Sequence, residues 1–333
     1  MKYSSLSFSV CLALYNGSNY IESQLNSILQ LLTPQDEIII VDDASSDCSI
    51  SIVEKVLSQY PKLHHMLIKH SSNKGHSAAF QTALMSASKD IVLLSDQDDL
   101  WLPNKLSTIA GRFLSNPSLM TVIHDAYLCD ENLSYFGIKK SDQLRSIGLD
   151  MNHMVAGCCL SFRRSLLDIV LPFYPSRSFR HDVWICMISR SIKSLEYIND
   201  PLIYHRRHSN NASKGFKGTS NPEIKQGTVP LQSTKRYFRP SYIQGLQQAH
   251  TIQSEYIYLL HRLISLGSLK DPNRSFILNQ LILQILIQYR INVCLTLTLL
   301  ITPTNFTRTA RSFKQQLTCL SALFFVLIKR LCS

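Results

Sequence analysis

Strand-like and helix-like segments alternate through the first hundred residues, and this alternation constrains the fold more than any other feature of the chain. Short apolar runs typical of buried strands are separated by segments with the length and the capping residues of helices. The predicted strands are 8–14, 37–41, 63–69 and 91–94, and the predicted helices are 20–31, 48–60 and 77–87. Because the links are short, the sequence predicts an α/β fold with a mostly parallel, doubly wound sheet flanked by helices.

Beyond residue 120 the pattern is less regular. The remaining predicted elements of this region are strands at 120–128, 155–162 and 197–204 and a helix at 183–191. A segment rich in Asn, Ser, Gly and Lys then precedes a helical, largely aliphatic tail. The sequence therefore predicts a folded domain over 1–215, a linker or mobile loop over 216–239, and a C-terminal helical extension over 240–333.

The net charge of +11 is concentrated in the C-terminal part of the chain. Residues 1–200 hold 17 Lys or Arg against 20 Asp or Glu, whereas residues 201–333 hold 17 against 3. The basic side chains of the tail lie among aliphatic runs, which favours an anionic membrane surface over nucleic acid. The apolar segments 291–302 and 315–328 are shorter than the roughly 20 residues of a spanning helix. We expect peripheral attachment to the cytosolic face of the inner membrane, with a homodimer through the C-terminal helices as the alternative.

Nine cysteines are scattered along the chain, and none forms a C-x-x-C pair. Their spacing favours neither a disulfide framework nor a zinc site, and it predicts reduced thiols in a cytoplasmic protein. The apolar run from Phe8 to Leu14 is short for a signal peptide, and Asn16-Gly17 follows where a cleavage site would lie. We therefore expect this run to be the first strand.

Polar residues follow the predicted strands at the positions where each strand ends. These groups are Tyr15-Asn16, Asp42-Asp43, Asn73-Lys74-Gly75 and Asp96 to Asp99. In a parallel sheet the carboxyl ends of the strands meet at one edge, and ligands bind in the crevice there. The sequence therefore predicts one ligand site to which all of these groups contribute.

Three carboxylates, Asp96, Asp98 and Asp99, lie within four positions after the predicted strand 91–94. Like charges this close repel one another, and a shared divalent cation, which also binds a polyanion such as a nucleoside diphosphate, relieves the repulsion. The alternative is a solvated acidic turn at the N-terminus of the next helix, which accounts for Asp99 but poorly for three acids together. A phosphatase of the aspartyl-phosphate type fits less well, because Leu100 stands where Thr or Val is expected.

Five motifs in this order resemble those of the family 2 glycosyltransferases with the GT-A fold, and most closely the bacterial rhamnosyltransferase-like branch. The motifs are Leu12-Ala13-Leu14-Tyr15-Asn16-Gly17, Ile40-Val41-Asp42-Asp43-Ala44-Ser45-Ser46-Asp47, Ser95 to Leu106, His181-Asp182-Val183-Trp184 and Pro201 to Asn211. The resemblance covers the region up to about residue 215, and the chain past 235 lies outside it.

The resemblance implies a divalent metal, Mg²⁺ or Mn²⁺, bound between the protein and the donor diphosphate. Asp98 is the expected principal ligand, Asp96 a ligand that binds directly or through water, and His208 the ligand that completes the site. For Asp182 the resemblance implies the general base that takes the proton of the acceptor hydroxyl. The structural alternatives are an ordinary packed histidine for His208 and a helix-capping carboxylate for Asp182.

The other residues of the resemblance are expected around the nucleotide. Asp43 is expected to accept a hydrogen bond from the N–H of uracil or thymine, and Tyr15 to stack on the base. Ala13 and Asn16 flank these positions in the first motif and are expected to contact the nucleotide as well. The cations expected at the diphosphate are Lys74, Arg206 and Arg207. An ordinary surface lysine is the alternative for Lys74.

The predicted function is that of a metal-dependent inverting hexosyl- or deoxyhexosyltransferase of surface-polysaccharide biosynthesis, such as O-antigen or capsule assembly. It would move one sugar from a UDP- or dTDP-linked donor to a lipid-linked or glycan acceptor. The sequence lacks the Gln-x-x-Arg-Trp motif of processive synthases, which favours single addition. The alternative is a catalytically degenerate nucleotide-binding or scaffold protein of an assembly complex. A nucleotidyltransferase fits less well, because Tyr15-Asn16-Gly17-Ser18 supplies no cations after the first strand.

Overall fold

The computed structural model describes residues 6–146, 151, 154–173, 180–209 and 211. The predicted linker and helical extension lie outside the described residues, and so do the expectations of membrane attachment and dimerisation that depend on them. Within the described part of the chain, no helix combines the length and the apolar composition needed to cross a bilayer.

One sheet of nine strands organises the described residues. The strands are β1 Phe8–Leu14, β2 Glu37–Asp42, β3 His64–Lys69, β4 Ile91–Ser95, β5 Leu100–Trp101, β6 Thr121–Cys129, β7 Tyr135–Lys139, β8 Leu160–Arg163 and β9 Leu195–Arg206. Their order across the sheet is β3-β2-β1-β4-β8-β6-β9-β5, and β7 pairs with β6.

Helices follow the strands along the chain. They are α1 Ile21–Leu29, α2 Ser49–Leu57, α3 His76–Ser86, α4 Lys105–Ser115, α5 Lys140–Ser146, α6 Leu167–Val170 and α7 His181–Ser191. Helices α1 and α2 pack on each other, α3 packs on β1 and β2, and α7 contacts α3. These contacts bring the N-termini of α3 and α7 close together. Their first residues are His76 and His181, whose ring centroids lie 5.0 Å apart.

The first four strands in the sheet order confirm the predicted parallel sheet. Strand β1 pairs in parallel with β2 on one side and with β4 on the other, and β2 pairs in parallel with β3. Every residue of β1 and of β4 is buried, as expected of central strands that are covered on both faces. The carboxyl ends of β1, β2 and β4 therefore lie side by side.

Beyond β4 the sheet becomes mixed. Strand β8 runs antiparallel to both β4 and β6, whereas β9 runs parallel to β6. The short strand β5 pairs antiparallel with the end of β9 through Leu100 and Tyr204. This pairing brings the basic run that follows Tyr204 back to the acidic segment 96–99.

Some element boundaries differ from those predicted from the sequence. The strand predicted over 155–162 is confined to β8, because Gly157–Cys159 form a 3-10 turn before it. The helix predicted over 183–191 begins two residues earlier, so that Asp182 lies in the first turn of α7. The short elements β5, β7, α5 and α6 were not predicted, since a few residues show no clear periodicity.

Candidate active site

A cavity of about 500 Å³ opens at the carboxyl ends of β1, β2 and β4, and its walls are strongly charged. Its carboxylates are Asp43, Asp96, Asp98 and Asp182, its Lys and Arg residues are Lys140, Arg180 and Arg207, and its histidines are His76, His181 and His205. The predicted site residues that line it are Ala13, Tyr15, Asp43, Asp96, Asp98, Asp182 and Arg207. Its volume is within the range typical of small-molecule sites.

Asp98 and His208, two of the predicted metal ligands, are in contact just beyond the carboxyl end of β9. Oδ2 of Asp98 lies 2.8 Å from Nε2 of His208, and Nδ2 of Asn211 donates to the same oxygen at 3.0 Å. The ring of His208 also packs on Tyr20, with 4.6 Å between centroids, which restrains its orientation. The carboxylate of Asp98 and the imidazole of His208 are therefore placed so that both could coordinate one ion.

Asp96, the other predicted ligand, lies in the same cavity but contacts a different histidine. Its Oδ1 is 3.2 Å from Nε2 of His76. Burial would raise the pKa of Asp96, but the hydrogen bond and charge of His76 outweigh it and lower the pKa to about 2. Among the described residues, the ligand atoms of Asp96, Asp98 and His208 do not all lie within 4.8 Å of one another. Asp96 would therefore coordinate an ion held by Asp98 either through a water molecule or after its side chain rotates away from His76.

This donor set fits a hard divalent cation. Mg²⁺ and Mn²⁺ take one or two carboxylates together with phosphate oxygens and water, and an imidazole is compatible with Mn²⁺. Asp98 and His208 can hold such an ion directly, and Asp96 is ionised on the adjoining wall.

The two arginines of the predicted basic run have different surroundings. Arg207 lines the cavity, whereas Arg206 is buried. Nε of Arg206 donates to the carbonyl oxygen of Asp98 at 2.7 Å, and its Nη1 donates to the carbonyl oxygen of Glu131. The prediction that Arg206 faces the diphosphate is therefore not met, because its guanidinium is used to hold the acidic segment in place.

Asp99 lies behind the cavity wall and is fully buried. Burial, together with the neighbouring carboxylates of Asp98 and Asp96, raises the pKa of Asp99 well above the ordinary range. Its Oδ1 accepts a hydrogen bond from the backbone N–H of Arg206 at 3.2 Å. Helix α4 begins only at Lys105, so a stabilising helix N-terminus does not account for Asp99.

Asp43 fixes the loop that follows β3. Its Oδ1 accepts from the N–H of Lys74 at 2.9 Å and lies 2.7 Å from Nδ1 of His70, and its Oδ2 accepts from the N–H of Gly75 at 2.8 Å. Burial would raise the pKa of Asp43, but these hydrogen bonds lower it overall. Lys74 contributes its backbone here, and its side chain is exposed.

Tyr15 and Gln97 hold each other at the cavity edge. The N–H of Tyr15 donates to Oε1 of Gln97 at 2.7 Å, and Nε2 of Gln97 donates to the carbonyl oxygen of Tyr15 at 3.1 Å. The Tyr15 side chain remains 47% exposed and free to contact a ligand. Asn16 instead joins two loops, since its Oδ1 accepts from the N–H of Ser46 at 2.8 Å.

Asp182 is the carboxylate that α7 presents to the cavity. Its Oδ1 accepts from the N–H of Val183 at 2.9 Å, and its Oδ2 accepts from Nη2 of Arg180 at 3.0 Å. Burial raises the pKa of Asp182, and the Arg180 charge and the Val183 hydrogen bond reduce that shift without cancelling it. A carboxylate with a raised pKa and a fixed position is suited to accept a proton.

His181 lies between Asp182 and the pair formed by His76 and Asp96. Its ring stacks on Phe80 at 4.2 Å between centroids, and its buried Nε2 has no hydrogen-bond partner among the described residues. Burial, and to a smaller extent the charge of the nearby His76, lowers the pKa of His181 well below the ordinary value. His181 is therefore a neutral imidazole with one unused polar atom.

Several residues of the cavity wall had no role predicted from the sequence. These are His76, Gln97, Lys140, Arg180 and His205. Gln97 separates the two motif aspartates and Arg180 directly precedes His181, so their neighbours in the chain were signals that could have identified them. No local signal marks Lys140, which reaches the cavity from α5.

Comparison with solved structures identifies the fold class. The structure of S. aureus TarS residues 1–349 in complex with UDP aligns with a TM-score of 0.51 at 17% sequence identity, over 83% of this chain and 70% of that one. The described fold is that of the GT-A glycosyltransferases, which is the class predicted from the sequence motifs.

The sequence is similar to known glycosyltransferases. Residues 9–170 match the model of glycosyl transferase family 2. An uncharacterized glycosyltransferase of Nostoc sp. is 28% identical over 248 residues, which are 70% of this chain and 74% of the relative. The E. coli UDP-Glc:alpha-D-GlcNAc-diphosphoundecaprenol beta-1,3-glucosyltransferase WfaP is 24% identical over 263 residues, 77% of this chain and 94% of the relative. The chain is a glycosyltransferase, and its residues 9–170 are similar to family 2.

Proposed function

We propose that this enzyme transfers a single sugar, with inversion at the anomeric carbon, from a nucleoside diphosphate to a lipid-linked or glycan acceptor. One observation carries the proposal. The raised-pKa carboxylate of Asp182 and the carboxylates of Asp96 and Asp98 line the same cavity, so a base and a cation site can flank one substrate.

The nucleotide end of the donor would lie along β1 and β2. Asp43 is held rigidly there and has one lone pair left, on Oδ2, to accept from a pyrimidine N–H, and the exposed ring of Tyr15 can stack on the base. This supports a UDP- or dTDP-linked donor. Arg207 and Lys140, which also line the cavity, would supply positive charge for the diphosphate.

A divalent cation would complete this part of the site. Asp98 and His208 would hold it, with Asp96 beside them. When bound, the ion neutralises the charge that develops on the departing nucleoside diphosphate. Arg206 supports the ligand segment from behind through its hydrogen bond to the carbonyl oxygen of Asp98.

At the other end, Asp182 would act on the acceptor. Its carboxylate takes the proton of the acceptor hydroxyl while that oxygen forms the new bond to the anomeric carbon, and the bond from that carbon to the diphosphate oxygen breaks. Arg180 restrains the carboxylate at 3.0 Å. The unused Nε2 of His181 can bond a substrate hydroxyl between the base and the diphosphate.

Similarity to WfaP, whose name specifies a diphosphoundecaprenol acceptor, supports a lipid-linked acceptor and a role in surface-polysaccharide assembly. The 17 basic residues against 3 acidic residues in 201–333 support work at an anionic membrane surface on its cytosolic side. The likeness to the rhamnosyltransferase-like branch remains a prediction from the sequence motifs.

The transfer proposal is tested with a panel of UDP-, dTDP- and GDP-sugars, with and without Mn²⁺, and a synthetic lipid diphosphate sugar as acceptor. We expect one metal-dependent donor to give a product with inverted anomeric configuration by NMR. Donor binding without turnover under any of these conditions would favour the scaffold alternative. A product that retains the donor configuration would exclude Asp182 as a base in direct displacement.

The membrane proposal is tested on the full chain by flotation with vesicles. We expect binding to vesicles rich in anionic lipid and loss of binding when four basic residues of the tail are replaced by Gln. These residues are Arg308, Arg311, Lys329 and Arg330. Undiminished flotation of that variant would contradict electrostatic attachment, and a dimer in sedimentation experiments would favour the alternative.

A further inference from the structure

Three side chains of metal-ligand type converge behind the wall of the cavity, within the part of the chain that the structure describes. A carboxylate oxygen of Asp99, Sγ of Cys158 and a ring nitrogen of His205 all lie within 4.8 Å of one another. They come from the segment after β4, from the 3-10 turn before β8 and from the end of β9. The convergence is a result of the mixed sheet, since β8 pairs with β4 and β9 pairs with β5.

Two of these side chains each carry a buried polar atom without a hydrogen-bond partner in the described part of the chain. Among the described residues, Oδ2 of Asp99 and Nδ1 of His205 have no partner of their own, although the Cys158 thiol bonds the Asp99 side chain, and Asp99 has no exposed surface. An unsatisfied buried polar group costs about 1 to 3 kcal/mol, so such atoms are rare and call for an explanation. A bound ion would satisfy both.

The cluster is also accessible to an ion. Cys158 and His205 both line the cavity, whereas Asp99 lies deeper. The nearby buried amine of Lys105 donates to the carbonyl oxygen of Cys158 at 3.1 Å and lies 4.0 Å from the centroid of the Trp101 ring. The Lys105 amine therefore contacts a carbonyl oxygen and an aromatic ring. It does not bond Oδ2 of Asp99, which remains available to bind an ion.

We propose that Asp99, Cys158 and His205 form a second metal site, which takes a thiophilic transition-metal ion of the Zn²⁺ class. A thiolate, an imidazole and a carboxylate are the ligands that Zn²⁺ prefers, whereas Mg²⁺ avoids thiolate. The ion replaces the thiol proton of Cys158 and any proton carried by the Asp99 carboxyl group, and these protons pass to solvent through the cavity. Because Cys158 and His205 line the cavity, water or an anionic oxygen from the cavity can complete the coordination.

The site has a consequence for the enzyme. Asp99 adjoins Asp98, and Cys158 and His205 share the cavity with Asp96 and Asp98. An ion held there would occupy space close to the donor diphosphate and would compete for its oxygens. Zn²⁺ at the second site is thus expected to inhibit transfer supported by Mn²⁺, and a chelator selective for Zn²⁺ is expected to reverse the inhibition.

Cobalt(II) tests the site in the full-length protein, because a thiolate bound to Co²⁺ gives a charge-transfer absorption in the near ultraviolet. We expect this band in the wild type, its loss in Cys158→Ser, and at least a tenfold weaker apparent affinity in Asp99→Asn, as about tenfold or more is typical when support of a metal site is removed. Cys159→Ser is the matched control, since Cys159 is the adjacent buried thiol, and it is expected to keep the band. Asp98→Asn is also expected to keep it, which separates this site from the proposed catalytic metal.

A measurement on the wild type alone guards against variants that fail to fold. X-ray absorption at the zinc edge is expected to reveal one sulfur with nitrogen and oxygen neighbours at a stoichiometry near one ion per chain. A zinc shell of nitrogen and oxygen alone, or a cobalt band that persists in folded Cys158→Ser, would overturn the proposal. Neither result bears on whether the enzyme transfers a sugar.

Discussion

Oδ2 of Asp98 lies 2.8 Å from Nε2 of His208, although 110 positions separate the two residues in the chain. The contact depends on the antiparallel pairing of β5 with β9, which returns the end of β9 to the acidic segment. Arg206 reinforces it from the same strand end by bonding the carbonyl oxygen of Asp98 at 2.7 Å. The proposed cation site therefore requires the pairing of β5 with β9 as well as its two ligands.

Replacement of either ligand is expected to reduce transfer strongly. Asp98→Asn and His208→Gln should each lower the transfer rate by at least about 100-fold, since metal stabilisation of a leaving group is worth several kcal/mol. The measurement is product formation at saturating Mn²⁺, with thermal unfolding to verify the fold. The control is Asp200→Asn, an exposed carboxylate on β9, which should leave the rate unchanged. A wild-type rate in folded Asp98→Asn would remove this residue from the metal site.

Asp182 is expected to control the acidic limb of the pH profile. A base must be ionised to accept a proton, and burial raises the pKa of Asp182. Activity should therefore fall, as the pH is lowered, at a higher pH than the value near 4 that is ordinary for Asp. The measurement is kcat/KM against pH for the wild type, and Asp182→Asn should lose at least about 100-fold at every pH, within the range attributed to acid–base catalysis.

Arg180 provides a sharper test of the same assignment. Its positive charge lowers the pKa of Asp182, so Arg180→Gln should shift the acidic limb to higher pH without abolishing turnover. Arg145→Gln is the matched control, because Arg145 pairs with Asp142 on the exposed surface of α5. An acidic limb that stays in place in Arg180→Gln would indicate that another group is the base.

Asp43 is expected to support both stability and nucleotide binding. Asp43→Asn weakens the hydrogen bonds to Lys74, Gly75 and His70, and should lower the free energy of unfolding by about 1 to 3 kcal/mol at pH 7. Because the pKa of Asp43 is lowered in the folded state, its contribution is present above the ordinary pKa near 4 and is lost as the pH falls through the lowered value.

Urea unfolding at pH 7 and in acid measures this contribution, and calorimetry with UDP measures binding. The stability difference between wild type and Asp43→Asn should shrink in acid, and the variant should bind UDP more weakly. Asp200→Asn again serves as the control, since its carboxylate is exposed. A stability difference that is independent of pH would mean that the ionised state of Asp43 is not what holds the loop.

The parallel half of the fold could be predicted because its signals are local. Strand β1 is a run of apolar residues, and its predicted bounds of 8–14 match those observed. The polar residues at the ends of β1, β2 and β4 were predicted to form one site, because parallel strands place their carboxyl ends together. Asp43 and Asp96 accordingly line one cavity.

What could not be predicted depends on contacts between distant segments. His76 meets Asp96 across 20 positions, and no periodicity in the sequence reports that the N-terminus of α3 faces the end of β4. Arg206 and Arg207 are adjacent and chemically alike, yet strand geometry turns them to opposite sides, so one supports the acidic segment and the other lines the cavity. Cysteine spacing likewise gave no indication that Cys158 lies beside Asp99 and His205.

Gly17 is expected to set the position of Gln97 and, through it, of Tyr15. A Cβ at Gly17 would lie 2.7 Å from Oε1 of Gln97, the atom that accepts the hydrogen bond from Tyr15. Gly17→Ala should therefore displace the Gln97 amide and raise the KM for the donor about tenfold, which corresponds to roughly 1.4 kcal/mol, or one to two hydrogen bonds. Gly111→Ala is the control, since a Cβ there has no atom within 4 Å, and in α4 it should raise the free energy of unfolding by up to about 1 kcal/mol. An unchanged KM in Gly17→Ala would mean that Tyr15 does not depend on Gln97 for its place beside the donor.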